Sequence, residues 1–250
     1  MAAPVIIVFG ITGDLSKRKL LPALYHLLNQ DLLPPDTKII GISRRPLAVD
    51  ELLSSVELCI LDQDKVCDPT GLDRIRSALQ THQLEPDKPG DYTKLKELLE
   101  SFDDKTRRER LFYMSIPAAA YGPIIKHLSS AGLNDEHSRL LLEKPFGYDL
   151  ASAQQLIELV GKDFDENHVY RIDHYLAKET AQNLLAFRLH NPIFTPLWNA
   201  EHIRRVHIRA TETLDIEGRA GFYEQTGALR DLIQSHLMQL LSLTLMDVPT

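Results

Sequence analysis

A strand that breaks into a glycine turn and then a helix opens this chain, and that order admits few folds. Val5-Ile6-Ile7-Val8-Phe9 is short, apolar and rich in β-branched residues, the pattern of a strand buried on both faces. Gly10-Ile11-Thr12-Gly13-Asp14-Leu15 follows at once, and Leu20, Leu21, Leu24, Leu27 and Leu28 then recur on one side of a helix. Strand, glycine turn and helix make the first unit of a dinucleotide-binding sheet. Glycine at positions Gly10 and Gly13 lets backbone N–H groups approach a pyrophosphate at the helix N-terminus. The spacing is G-x-x-G rather than the full G-x-G-x-x-G, so its weight comes from its place directly after the first strand. Lys17, Arg18 and Lys19 add positive charge beside the turn and read equally well as a solvated basic face.

The next apolar run, Lys38-Ile39-Ile40-Gly41-Ile42, bears on which dinucleotide is bound. An NAD site ends this strand with an acid that hydrogen-bonds the ribose 2′-hydroxyl. Here the strand ends Ser43-Arg44-Arg45. Guanidinium groups in place of an acid suit a 2′-phosphate, so the expected cofactor is NADP with Arg44 as its main contact. Arginine also stands at exposed strand ends without any ligand.

Strands and helices go on alternating, which predicts a mostly parallel sheet with right-handed crossovers. A helix is expected over Val49–Val56, a third strand at Leu58–Leu61, a polar loop over Asp87–Tyr92 and a helix over Leu95–Phe102. A fourth strand over Leu111–Ile116, a helix over Pro123–Ala131 closed by Gly132, and a fifth strand over Arg139–Glu143 come next. A helix over Ala151–Val160 and a sixth strand over His168–Ile172 complete the set. The pattern then changes: a helix over Thr180–Leu189, a proline-bearing loop over Asn191–Trp198, an alternating strand over Ile203–Leu214, a turn at Gly218–Gly221 and a long apolar helix over Gly227–Met246. The expected fold class is α/β: a doubly wound, Rossmann-type sheet over residues 1–175, followed at 176–250 by the incomplete start of an α+β domain.

Composition excludes several classes. The formal net charge of −7 argues against a general nucleic-acid binder. No apolar run approaches the ~18 residues a membrane span needs. The first strand begins within five residues of Met1, which leaves no room for a signal peptide. Cys59 and Cys67 are isolated, in keeping with a reducing, cytoplasmic setting. No H-E-x-x-H, C-x-x-C or clustered carboxylate set occurs, so no metal is expected.

Arg171-Ile172-Asp173-His174-Tyr175-Leu176-Ala177-Lys178-Glu179 gathers acids, bases and a phenol where a strand gives way to a helix. On a helix, His174 and Lys178 share a face, as do Tyr175 and Lys178. Lysine and histidine on one face repel unless an anion lies between them, which points to a phosphate-sized ligand. A solvated, salt-bridged helix start explains the same residues. His236, among Leu229, Leu232, Ile233, Leu237 and Leu240, reads by itself as a satisfied core histidine.

Five segments taken in order resemble the glucose-6-phosphate dehydrogenase family. They are Gly10-Ile11-Thr12-Gly13-Asp14-Leu15, Arg18-Lys19-Leu20-Leu21-Pro22-Ala23-Leu24-Tyr25, Glu143-Lys144-Pro145-Phe146-Gly147, the Arg171–Glu179 block, and Arg230-Asp231-Leu232-Ile233-Gln234-Ser235-His236-Leu237. The resemblance implies oxidation of glucose 6-phosphate at C1 to 6-phosphogluconolactone with hydride transfer to NADP, the first step of the oxidative pentose phosphate pathway. It implies that His236 is the general base and Asp173 the carboxylate that orients it. It assigns His174, Tyr175 and Lys178 to the phosphate, Glu212 and Asp231 to sugar hydroxyls, and Lys144 to both sugar and cofactor. Gly10, Gly13, Asp14, Leu15, Arg44 and Tyr121 complete the implied cofactor site. The chain is expected to be the N-terminal portion of a homo-oligomer, dimer or tetramer; a truncated, non-catalytic NADP-binding module is the alternative. Ala177 stands where the family has Gly and Ser235 where it has Asn, and neither replaces a residue expected to do chemistry.

Overall fold

A computed structural model describes residues 3–61, 68–104, 106–144, 146–147, 149–211, 223–224 and 227–247. Six strands form one parallel sheet: β1 (Val5–Phe9), β2 (Lys38–Ser43), β3 (Leu79–Gln83), β4 (Arg110–Met114), β5 (Ser138–Glu143) and β6 (Val169–Ile172). Their spatial order is β3-β2-β1-β4-β5-β6. β1 is central: Val5 to Phe9 pair with Lys38 to Ile42 on one side and with Arg110 to Met114 on the other. The order reverses between β1 and β4, so the chain after β1 opens onto the switch point of the sheet.

Strand alternation divides the core into two layers. Val5, Ile7 and Phe9 of β1 and Ile40 and Ile42 of β2 face helices α4 (Pro89–Glu100), α5 (Tyr121–Ser130) and α6 (Leu150–Asp163). Val8 and Ile39 face α1 (Leu21–Asn29), α2 (Val49–Leu61) and α3 (Pro69–Ala78). Each aliphatic side chain buried this way contributes about 1.5–3 kcal/mol. Sequence also sets helix ends. Asp68 caps α3 by accepting from Thr70 N and Gly71 N, and Asp149 and Ser152 form a capping box at α6.

Three expectations are corrected. Leu58–Leu61 is not a strand but the last turn of α2, because the helical spacing of Leu52, Leu53 and Val56 runs on into it. The third strand is Leu79–Gln83, an edge strand with only Leu79 buried, and its polar residues carry no strand signal. The loop expected from Asp87 to Tyr92 is helical from Pro89 onward: proline suits the first helical position, where its missing N–H has no partner to lose.

The chain divides into two compact units, Met1–Arg171 and Ile172–Thr250. In the second, α7 (Glu179–His190) leads into a 3₁₀ stretch over Pro192–Leu197, where a loop was expected. A π-helical stretch, Leu229–Leu237, runs straight into α8 (Met238–Leu245). Arg188 of α7 donates to the carbonyls of Leu243 and Met246, and Trp198 Nε1 donates to Thr244 O at 2.8 Å. These bonds satisfy the orphan carbonyls at the end of α8 and fix the helix that carries His236. Residues 203–211 form no regular structure where a strand was expected. The rest of that expected strand, with Glu212, and the turn at Gly218–Gly221 lie outside the described residues. Among the described residues, no helix is long and apolar enough to cross a membrane.

Candidate active site and dinucleotide-binding turn

In the first unit, the turn after β1 is built around bare backbone. Gly10 has φ +79°, and a Cβ there would lie 2.3 Å from Ser115 O and 2.7 Å from Ile116 Cγ2. Gly13 N–H donates to Gly10 O at 2.9 Å, and a Cβ on Gly13 would stand 3.1 Å from that oxygen. Ser16 Oγ donates to Gly10 O at 2.9 Å and lies 3.1 Å from Ser115 Oγ, which ties the turn to the helix start and to the end of β4. Ile11 is fully buried over Gly41 of β2, where a Cβ would meet Ile11 Cγ1 at 2.8 Å. The helix then begins at Asp14, and its first N–H groups lack intrahelical partners. A turn stripped of side chains at a helix N-terminus fits a pyrophosphate. Asp14 forms an exposed ion pair with Arg18 at 2.9 Å, and Leu15 is partly exposed at the same turn.

The end of β2 is held by three hydrogen bonds. Leu84 N donates to Ser43 O at 2.9 Å, Gln83 Nε2 to Arg44 O at 3.1 Å, and Ser43 Oγ to Arg45 O. Arg44 and Arg45 are exposed and make no ion pair among the described residues. Tyr121 is buried, and its hydroxyl lies 3.3 Å from Met114 O and 3.2 Å from Glu143 O, joining the ends of β4 and β5. Burial pushes that phenol up to about 12. Tyr113 OH donates to the Glu143 carboxylate; burial raises the Glu143 carboxyl above its ordinary value, and the Tyr113 bond opposes the rise. Lys144 stands half-buried in the bend directly after β5.

In the second unit, residues 173–178, between the end of β6 and the start of α7, form two successive turns rather than a helix. Leu176 N donates to Asp173 O at 3.1 Å and Lys178 N to Tyr175 O at 3.2 Å; the helix starts at Glu179. Asp173 bends the chain because its carboxylate accepts from Tyr175 N at 3.0 Å, an Asx-turn. The same oxygen lies 3.0 Å from His236 Nδ1, and the two side chains are only 4% and 8% exposed. A carboxylate only accepts, so Nδ1 carries a proton, and in the neutral ring Nε2 keeps its lone pair. Helical periodicity therefore does not bring His174 and Lys178 together; the ring of Tyr175 does. His236 stacks on that ring at 4.1 Å and 15°, Lys178 Nζ lies 3.9 Å from its centroid, and the His174 ring packs 5.0 Å away. Desolvation, then the neighbouring His236, hold His174 below the ordinary histidine range; Lys178 adds to the shift, and Asp173 and Asp231 oppose it.

Asp231 accepts from Tyr223 OH at 2.9 Å. It precedes His236 by five residues, which in an α-helix would point the two about 140° apart. The π-helical ladder from Leu229 to Leu237 restores them toward one face, and such stretches concentrate at functional sites. Asp173, His174 and His236 each offer a possible metal-ligand atom, all within 4.8 Å of one another. A hydrogen bond of 3.0 Å already joins two of the three. Residue spacing does not mark Ser16, Ser115 or Tyr113 as site residues, because each acts through a partner distant in the chain.

A glycine turn at the switch point of a 3-2-1-4-5-6 sheet defines a dinucleotide-binding α/β protein. Comparison with known proteins narrows that class. The family profile described as "Glucose-6-phosphate dehydrogenase, NAD binding domain" matches residues 7–183, and "Glucose-6-phosphate dehydrogenase, C-terminal domain" matches residues 185–250. The chain belongs to the glucose-6-phosphate dehydrogenase family. It is 39% identical to glucose-6-phosphate 1-dehydrogenase 2 of Mycobacterium tuberculosis H37Rv, over 98% of this chain and 49% of that protein. It is 40% identical to glucose-6-phosphate 1-dehydrogenase of Rhizobium meliloti, over 98% of this chain and 50% of the relative. A glucose-6-phosphate dehydrogenase solved in complex with its substrate glucose-6-phosphate superposes with TM-score 0.90 at 35% identity, over 100% of this chain and 54% of that one. The Mycobacterium avium enzyme superposes with TM-score 0.86 at 32% identity, again over 100% of this chain and 54% of that one. The chain thus spans about half the length of the curated relatives it matches.

Proposed function

We propose that this chain carries the cofactor-binding and proton-transfer apparatus of an NADP-dependent glucose-6-phosphate 1-dehydrogenase. Residues 1–175 form the NADP-binding part, and residues 176–250 open the substrate and dimerisation part of a homo-oligomer. The observation that carries the reading is the buried contact of Asp173 Oδ1 with His236 Nδ1 at 3.0 Å. It leaves Nε2 as the acceptor for the C1 hydroxyl proton, while the Asp173 carboxylate stabilises the imidazolium that forms. The oxidised form of NADP, held by the glycine turn and Arg44, would supply the hydride acceptor for C1. As the C1–H bond breaks, its electron pair leaves as hydride, the hydroxyl proton goes to His236, and the C1–O bond becomes the lactone carbonyl.

His174, Tyr175 and Lys178 are the cluster assigned to the 6-phosphate, a reading supported by the Lys178 ammonium 3.9 Å from the Tyr175 ring centroid with the His174 ring packed beside it. Asp231 accepts from a sugar hydroxyl, as does Glu212, and Lys144 reaches both sugar and cofactor. Gly10, Gly13, Asp14 and Leu15 receive the pyrophosphate, Arg44 the 2′-phosphate, and Tyr121 supports the nicotinamide side by fixing the ends of β4 and β5. The whole reading suits a cytoplasmic enzyme. Absorbance of reduced cofactor with glucose 6-phosphate tests it, comparing the unaltered chain with His236→Asn. The variant is expected to lose ~10²–10⁴-fold in kcat with substrate affinity largely kept. An unchanged kcat in folded His236→Asn overturns the base assignment. NADP binding without any turnover in the unaltered chain favours a non-catalytic module.

A further inference from the structure

We infer that the ring of Tyr175, separately from its hydroxyl, is the plate that holds the His236 imidazole in the orientation and tautomer a base needs. The inference rests on the reading of His236 as the base. A single hydrogen bond from Nδ1 to Asp173 fixes one corner of the imidazole and leaves the ring free to rotate about that bond. A second restraint must act on its face. The Tyr175 ring supplies it, near-parallel at 15° and 4.1 Å between centroids. The His174 ring closes against His236 at 4.6 Å and 65°. Tyr175 is itself immobilised, being 5% exposed with its N–H bound to the same Asp173 oxygen that accepts from His236.

The arrangement also suits the reaction. When His236 takes a proton it becomes a cation lying on a π face, which attracts cations through its quadrupole. Lys178 Nζ lies 3.9 Å from the centroid of the same ring. One aromatic side chain thus organises both the proton acceptor and a cation of the candidate phosphate site. Nothing in residue spacing announces this, because Tyr175 and His236 are brought together only by the turn at Asp173 and the packing of the helix from Leu229 onward.

The test separates ring from hydroxyl. Tyr175→Phe keeps the plate and removes the hydroxyl; Tyr175→Leu removes the plate, and Tyr175→Met is a second, flexible apolar variant should the leucine fail to fold. Long-range ¹⁵N–¹H spectra of the histidine rings, with His236 identified by its loss in His236→Asn, read the tautomer directly. In the unaltered chain and in Tyr175→Phe, His236 should show Nδ1–H and ring protons shifted upfield by the stacked phenyl face. In Tyr175→Leu or Tyr175→Met the upfield shift should vanish and the tautomers should mix. In kinetics, Tyr175→Phe should act mainly on KM for glucose 6-phosphate. Tyr175→Leu should lose a further tenfold to a hundredfold, roughly, in kcat, the scale of loss for a misplaced catalytic group. No upfield shift in the unaltered chain overturns the inference, as does a single Nδ1–H tautomer retained in the leucine or methionine variant. Failure of the base reading shows separately, as an unchanged kcat in His236→Asn.

Discussion

Replacing Gly10 by alanine tests the strongest structural claim about the cofactor turn. Gly10 sits at φ +79°, where an L-residue costs roughly 1–2 kcal/mol. The new Cβ would stand 2.3 Å from Ser115 O, a backbone atom that cannot swing aside, and 2.7 Å from Ile116 Cγ2. Overpacking of that kind costs about 1–3 kcal/mol. The shift that relieves it pulls apart Gly10 O, Ser16 Oγ and Ser115 Oγ, now 2.9 and 3.1 Å apart, and forfeits about 0.5–1.5 kcal/mol for a hydrogen bond. Together these give a loss of about 3–6 kcal/mol, a large part of an ordinary domain's stability. Urea unfolding followed by circular dichroism measures it. Gly90→Ala is the control: among the described residues, nothing beyond its chain neighbours and its own helix backbone lies within 4 Å of a Cβ there and the site is helical, so alanine should stabilise by about 0.5–1 kcal/mol. NADP binding to the folded Gly10→Ala chain should weaken as well. A loss under about 1 kcal/mol with unchanged binding would show that the β4 end yields freely and the close approach is not a constraint.

Arg44→Ala should weaken NADP binding about tenfold to a hundredfold while leaving NAD nearly unchanged, the scale of a charge-assisted pair of about 1.5–3 kcal/mol; equal losses in calorimetry would make Arg44 a structural residue. Arg110 is fully buried and donates to Asp103 at 2.8 Å, and its Nε and Nη1 lack hydrogen-bond partners among the described residues. Asp103→Asn should therefore cost about 3 kcal/mol, at the low end because Asp135 and Glu100 still act on Arg110, whereas Arg110→Met should be neutral or stabilising in the same urea assay. His82 is held below its ordinary value of 6.5 by burial, with Asp91 opposing. The unfolded chain then binds the proton more readily, so His82 lowers stability as pH falls below about 6.5 and the loss is relieved as pH rises. His82→Gln should flatten the stability–pH slope in that window, and an unchanged slope would refute the shift.

Local sequence determined the elements whose physics is local. Val5–Phe9 had to be a strand because its residues are β-branched and apolar, and Gly10 had to be glycine because the backbone turns through positive φ. The spacing of Leu21, Leu24 and Leu28 marked a helix face, and the Ser43-Arg44-Arg45 strand end marked a candidate phosphate contact. The third strand obeys no such local signal. Leu58–Leu61 is apolar but belongs to α2, while Gln80, Thr81, His82 and Gln83 are polar and become a strand only because the edge of β2 offers them its backbone. That offer is not written in their own side chains.

Tertiary structure alone decided the site. In sequence, His236 is a histidine on an apolar helix and Asp173 an acid at a turn, and each has an ordinary explanation by itself. Asp173 does cap its turn, yet the same oxygen also meets His236 Nδ1 at 3.0 Å, so the bland and the chemical readings are both satisfied by one atom. The π-helical register that swings Asp231 toward the face of His236, and the Tyr175 ring between His236 and Lys178, likewise exist only in the folded unit. Hydrophobic period and turn chemistry act over a few residues and are legible there. Which two distant side chains share a proton depends on how helices pack, and packing is a property of the whole core.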